Sequence, residues 1–123
     1  MVRPLTALFI TTGIAVFGMF ALAQNGNQYV PSYYVDVQPI LEKNCVSCHV
    51  AGGIAPFALD NPTSAVQWAD RISEVTKSGY MPPFPPSKDS GPFYNERRLG
   101  SATKKILEDW AAAKAPLGKV PHK

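Results

Sequence analysis

The densest chemistry in this 123-residue chain lies in five consecutive residues, Cys45-Val46-Ser47-Cys48-His49. Two thiols three positions apart, with an imidazole directly after them, form the C-x-x-C-H pattern by which a c-type haem is attached. At that spacing both sulfurs can add across the two vinyl groups on one porphyrin edge, and the next residue then lies under the ring as a ligand for iron. Three other chemistries share some of these residues. A redox dithiol expects a strand before it and a helix after, in a βαβ setting, whereas the residues before Cys45 read as helix. A structural zinc site needs four ligands, and the cysteines and histidines amount to Cys45, Cys48, His49 and the tail residue His122. A disulfide between Cys45 and Cys48 would close a very small loop and contribute little.

An iron held by one histidine takes a second ligand on its other face or stays open to small molecules. Of the three methionines, Met1 and Met19 fall in an apolar N-terminal segment, which leaves Met81 as the thioether of the remaining chain. Met81 stands in Gly79-Tyr80-Met81-Pro82-Pro83-Phe84-Pro85-Pro86, where four prolines in five positions stiffen the backbone and remove donors. A lone Met usually fills a core, but its isolation in a proline-fixed loop favours axial ligation. His122 is the other nitrogen candidate, one residue from the C-terminus and beyond Pro116 and Pro121. Ligation by His49 and Met81 raises the reduction potential relative to two imidazoles and suits an electron carrier, not an oxygen activator.

These residues need elements to position them. Asp36 is the expected N-cap of a helix from Val37 to about Asn44, with Pro39 tolerated in its first turn and Val37, Ile40 and Leu41 on one face. That helix delivers Cys45 and Cys48. Gly52 and Gly53 permit a tight loop after His49, and a backbone carbonyl of that loop, with Pro56 as the first candidate, is the expected acceptor for the second ring N–H of His49. Asn61-Pro62 starts a helix expected to run to about Ser78, with Gly79 as its stop. Its buried stripe is Ala65, Trp68, Ala69, Ile72 and Val75, while Asp70, Arg71, Glu74 and Lys77 face water. Trp68 is a core residue whose indole N–H could also reach a haem propionate, with Arg71 and Tyr80 as further partners. Residues 80–100 form a long irregular segment that presents Met81 and covers the distal face. Ser101 is the expected N-cap of a last helix, from about Ala102 to Lys114, packing through Thr103, Ile106, Leu107, Trp110 and Ala113.

The first 23 residues have the form of a secretory signal. Arg3 supplies the positive start, Leu5 to Phe20 is nearly all apolar, and Ala21-Leu22-Ala23 fits the cleavage pattern. The alternative is an uncleaved anchor, since Leu5 to Ala23 gives 19 residues without charge. Cleavage leaves 100 residues, enough for one small domain, with 11 basic and 9 acidic side chains. Seven of the basic residues lie from Arg97 onward, against Glu108 and Asp109. Such an end can steer docking onto an acidic partner, or be a solvated helix face. Nothing supports nucleic-acid binding.

A helix running into C-x-x-C-H, a methionine in a proline-rich loop and an amphipathic last helix resemble the class I monohaem cytochromes c. The phrases Gly52-Gly53-Ile54-Ala55-Pro56-Phe57 and Met81-Pro82-Pro83-Phe84 are similar to a compact subgroup found in periplasmic multidomain redox proteins. The resemblance covers residues 34–117. It implies an all-α, small cytochrome c fold, about three helices with long loops around one covalently bound haem c. It implies attachment by Cys45 and Cys48, axial ligation by His49 and Met81, and first and last helices that cross, placing Val37, Ile40 and Leu41 against Ile106, Leu107 and Trp110. The 32 positions from His49 to Met81 are fewer than in many members. The expected organisation is a signal peptide or anchor over 1–23, a linker over 24–33 and a cytochrome c domain over 34–123. The expected protein is not an enzyme but a periplasmic or otherwise exported carrier of single electrons between a protein donor and a protein acceptor. It touches a membrane only if the N-terminal segment is retained. The alternatives are a haem subunit of a membrane redox complex, tethered to the inner membrane, and a haem peroxidase or gas-binding protein.

Overall fold

Asp36 organises the first helical turn, though not as the N-cap of a helix beginning at Val37. Its carboxylate accepts from the Ser32 backbone N–H and from the Tyr29 hydroxyl, each at 2.8 Å. Helical structure therefore begins earlier, with a wide π-helical turn at Tyr33–Val37 that continues into α1, Gln38–Asn44. Pro39 has no N–H to give to the Val35 carbonyl, and its ring crowds that carbonyl. The turn before it widens instead, with the Val37 N–H reaching the Ser32 carbonyl at 3.2 Å.

In this computed structural model of the chain, the described residues are 28–83, 87, 89–90, 93–94 and 96–121. The expected signal peptide or anchor over 1–23, the start of the linker, Phe84-Pro85-Pro86 and His122 lie outside them. Three more helices follow α1: α2 at Pro62–Gln67, α3 at Ala69–Ser78 and α4 at Ser101–Ala112. There is no strand among the described residues, so the architecture is all-α. No helix among them is long and apolar enough to cross a membrane.

α2 starts as its sequence requires. The Asn61 side chain accepts from the Ser64 N–H at 2.9 Å, and Pro62 occupies the first turn. The expected single helix to Ser78 is broken at Trp68, whose backbone (φ −100°, ψ 9°) leaves the helical region. Two short helices result, and the break turns the indole onto the ring of Phe57. Beyond it the ladder resumes, with the Ile72 N–H on the Trp68 carbonyl at 2.8 Å. Gly79 ends α3 in the left-handed region (φ 79°), the conformation that favours glycine there. α3 buries Ala69, Ile72 and Thr76, while Trp68 and Val75 of the expected stripe are half-buried. Asp70, Arg71, Glu74 and Lys77 are exposed, as their spacing predicts.

α4 begins at Ser101, with Gly100 rather than Ser101 in the cap position and no side-chain cap. It packs chiefly on α3 and on the π-helical turn, so the expected crossing with α1 is made mainly one turn earlier, by Tyr33–Val37. Val37, Leu41, Leu107 and Trp110 nonetheless share one core and are essentially inaccessible to solvent. Tyr33, assigned to the linker, is instead a core residue whose ring lies 6.3 Å from Trp110. A second tie joins the segment before α1 to the segment after α4. The Pro116 carbonyl accepts from the Tyr33 N–H at 2.9 Å and from the Trp110 indole N–H at 3.1 Å, and the Leu117 carbonyl from the Tyr34 N–H at 3.1 Å. The packed unit thus includes residues from Pro31, which is buried, to Leu117.

Trp110 serves both the core and this tie. Trp110→Ala is expected to lower stability by about 3–5 kcal/mol, read as a shift of the urea midpoint. Trp110→Phe, which keeps most of the buried ring, costs clearly less.

Candidate functional site

The chain after α1 turns back on itself and brings the motif residues to one surface. The Cys45 and Val46 N–H groups both return to the Leu41 carbonyl, at 2.8 and 2.9 Å, and those of Cys48 and His49 to the Cys45 carbonyl, at 3.1 and 2.9 Å. Gly53 then passes so close that a Cβ on it would lie 2.5 Å from the Cys48 carbonyl oxygen, a distance no other residue can accept without moving backbone. Gly52 (φ 75°) supplies the left-handed turn that makes this approach possible.

Cys45, Cys48, His49, Met81, Pro56 and Trp68, the six residues expected at the site, all line one cavity of about 620 Å³. That volume falls within the ~300–1,000 Å³ of small-molecule and cofactor sites. Its remaining walls are mostly apolar, among them Ile54, Phe57, Leu59, Ile72 and Val75. α1 and the turn after it contribute the thiols and the imidazole, α3 the apolar wall, and the segment after Gly79 the thioether.

The His49 Nδ1 lies 3.0 Å from the carbonyl oxygen of Phe57. The acceptor is therefore one residue beyond Pro56, the carbonyl expected from the sequence; Pro56 itself is exposed and lines the cavity. A carbonyl can only accept, so Nδ1 carries the proton and Nε2 keeps its lone pair. That is the tautomer a metal-ligating imidazole needs. Loop 57–59 is itself held down: the Leu59 N–H donates to the His49 carbonyl at 2.7 Å, and the Ser64 hydroxyl donates to the Ala58 carbonyl.

Both cysteines are free thiols and half-buried. Burial, with a smaller contribution from Cys48, pushes the Cys45 thiol up to about 11. A redox dithiol needs a nucleophilic thiolate near neutral pH, and Cys45 opposes that. Among the described residues no group of three or more His, Cys, Asp or Glu is arranged to hold a metal ion, so a zinc site made from such side chains has no support there.

Met81 is half-buried at the start of the proline-rich loop, with its N–H on the Val75 carbonyl at 3.0 Å and the following Pro82 buried. That bond folds the chain back over the end of α3 and points to why a single thioether reaches the same cavity as the motif. Arg71 lines the cavity but pairs with Glu74 at 2.8 Å. Arg97 was not singled out from the sequence as a cavity residue; its guanidinium stands 4.0 Å from the Cys48 sulfur. Nothing in its local sequence marks it, because a fold-dependent approach across 49 positions places it there. That a backbone carbonyl of this loop meets His49 is expected from the sequence, but which carbonyl does so depends on the loop path, since a backbone oxygen carries no residue signature.

No family model, curated protein or solved structure matches this chain.

Two outcomes test this geometry. Gly52→Ala, with open space but a positive φ, should cost about 1–2 kcal/mol, whereas Gly53→Ala, facing a backbone oxygen, should cost more; urea midpoints compare them. In the folded chain with free thiols, alkylation of Cys45 should lag behind that of Cys48 at pH 8 and accelerate as pH approaches about 11. Because the folded state holds this proton more tightly than the unfolded state, the associated stability is present below the ordinary thiol range and is lost as pH rises through about 11. Converting the sulfur to a thioether removes that pH dependence.

Proposed function

We propose that this chain is an exported monohaem c-type cytochrome that carries single electrons between a protein donor and a protein acceptor. The observation that carries the proposal is the convergence of Cys45, Cys48, His49 and Met81 on one apolar cavity of cofactor size. Two thiols at the C-x-x-C spacing suit thioether attachment, and His49 and Met81 supply one nitrogen and one sulfur donor for the iron. When bound, haem supplies a one-electron ferric/ferrous couple.

The surrounding residues suit that role. The Phe57 carbonyl holds the His49 proton on Nδ1 and raises the basicity of the ligating nitrogen. Ile54, Phe57, Leu59, Ile72 and Val75 keep the lining apolar, which favours the less charged, reduced iron. A thioether donor acts in the same direction. No distal imidazole stands ready as an acid or base among the described residues, since His49 is the histidine among them. The uncharged run from Leu5 to Ala23 supports a second form of the same reading, a haem subunit tethered to a membrane.

The mature protein should carry the mass of one added haem, and this addition should vanish in Cys45→Ala/Cys48→Ala. The ferric wild type should show the weak sulfur-to-iron charge-transfer band, absent from Met81→Ala, and only the variant should bind carbon monoxide tightly when reduced. A colourless wild type without added mass would overturn the proposal. N-terminal sequencing separates the two forms: a start at Gln24 identifies the free carrier.

A further inference from the structure

Trp68 occupies the break between α2 and α3, where an unbroken helix would have been the simpler structure. Its indole stacks on the Phe57 ring with centroids 4.1 Å apart and planes inclined by 16°. The Phe57 ring also meets the imidazole of His49, at 4.7 Å and 47°. The same Phe57 supplies the carbonyl that accepts from His49 Nδ1 at 3.0 Å. One residue therefore touches His49 twice, by its ring and by its backbone, and Trp68 fixes that residue's ring.

We infer that Trp68 is a positioning residue for His49 that acts through Phe57. The inference rests on the proposed ligand role of His49 for its consequence, though not for its geometry. Offset aromatic stacking is directional, so a flat partner at 4.1 Å restricts both rotation and tilt of the Phe57 ring. Ser64 and Leu59 restrain the backbone that follows Phe57 through hydrogen bonds to the Ala58 and His49 carbonyls, whereas the indole is the flat partner stacked on the Phe57 ring. Without the indole, the Phe57 side chain is free to change rotamer, and its carbonyl loses alignment with Nδ1. An imidazole that donates less strongly through Nδ1 is a poorer electron donor through Nε2, which favours reduced iron and raises the reduction potential. The break in the helix is then explained by its result, an indole stacked on the Phe57 ring.

The test compares Trp68→Leu with Trp68→Phe in the full chain. Hydrogen exchange of His49 Nδ1–H is followed by NMR and divided by that of the Trp110 indole N–H, which reports opening of the separate core contact to Pro116. Trp68→Leu should raise this ratio about tenfold or more and shift the reduction potential upward. Trp68→Phe, which retains a stacking face, should restore both toward the wild type. An unchanged ratio in Trp68→Leu, or a rise in both exchange rates together, would overturn the inference and leave Trp68 as ordinary packing. If the wild type carries no haem, the functional proposal fails while the exchange ratio still decides the role of Trp68.

Discussion

A single carbonyl, that of Phe57, fixes the tautomer of His49, and much of the chain between Cys45 and Ile72 is arranged to hold it. The constraint is demanding because an imidazole can present a lone pair at either nitrogen. A side-chain acceptor would need its own restraint. A backbone carbonyl is restrained by the loop that contains it, and this loop is pinned on both flanks. Gly53 lies against the Cys48 carbonyl on one side, and Leu59 returns to the His49 carbonyl on the other. The short α2 then closes over the loop through Ser64, with Asn61 fixing where that helix begins.

The second half of the molecule solves a different problem, that of supporting a cavity with few helices. α3 presents Ile72, Val75 and Thr76 to the cavity, while α4 backs it with Leu107 and Trp110 in the main core. Thr76 is a polar residue in this wall, and its hydroxyl donates to the Ile72 carbonyl at 2.7 Å, so burial leaves no unmet hydrogen bond. Between α4 and the segment before α1, the Pro116 carbonyl joins the π-helical turn to Trp110. That closure is why Tyr33 belongs to the core although a polar stretch precedes it in sequence.

Charge is kept at the margin. Lys77–Glu108, Arg71–Glu74 and Lys105–Asp109 are exposed pairs on or between α3 and α4. Pairs of this kind contribute at most about 1 kcal/mol each; they organise the surface and do not account for the core. Arg71 and Arg97 are the charged residues that reach the cavity lining, and both are exposed. The interior of the site is consequently governed by apolar contact, two thiols, one thioether and one oriented imidazole.

Residue type and spacing alone determined the motif, its bound chemistry as an expectation, the isolation of Met81, the all-α composition and the caps at Asn61 and Gly79. Each of these is local: a cap, a proline or a three-residue thiol spacing acts through its immediate neighbours. Tertiary structure decided what local spacing cannot encode. Asp36 turned from cap to anchor because Ser32 and Tyr29 reach back to it, and the long helix broke at Trp68 because a ring from another loop was available to stack on. The His49 acceptor moved from Pro56 to Phe57 because a one-residue difference in loop path outweighs any difference between two chemically similar carbonyls. Arg97 arrived beside Cys48 across a chain separation of 49 positions for the same reason: the approach is made in the folded chain, and no neighbouring residue records it.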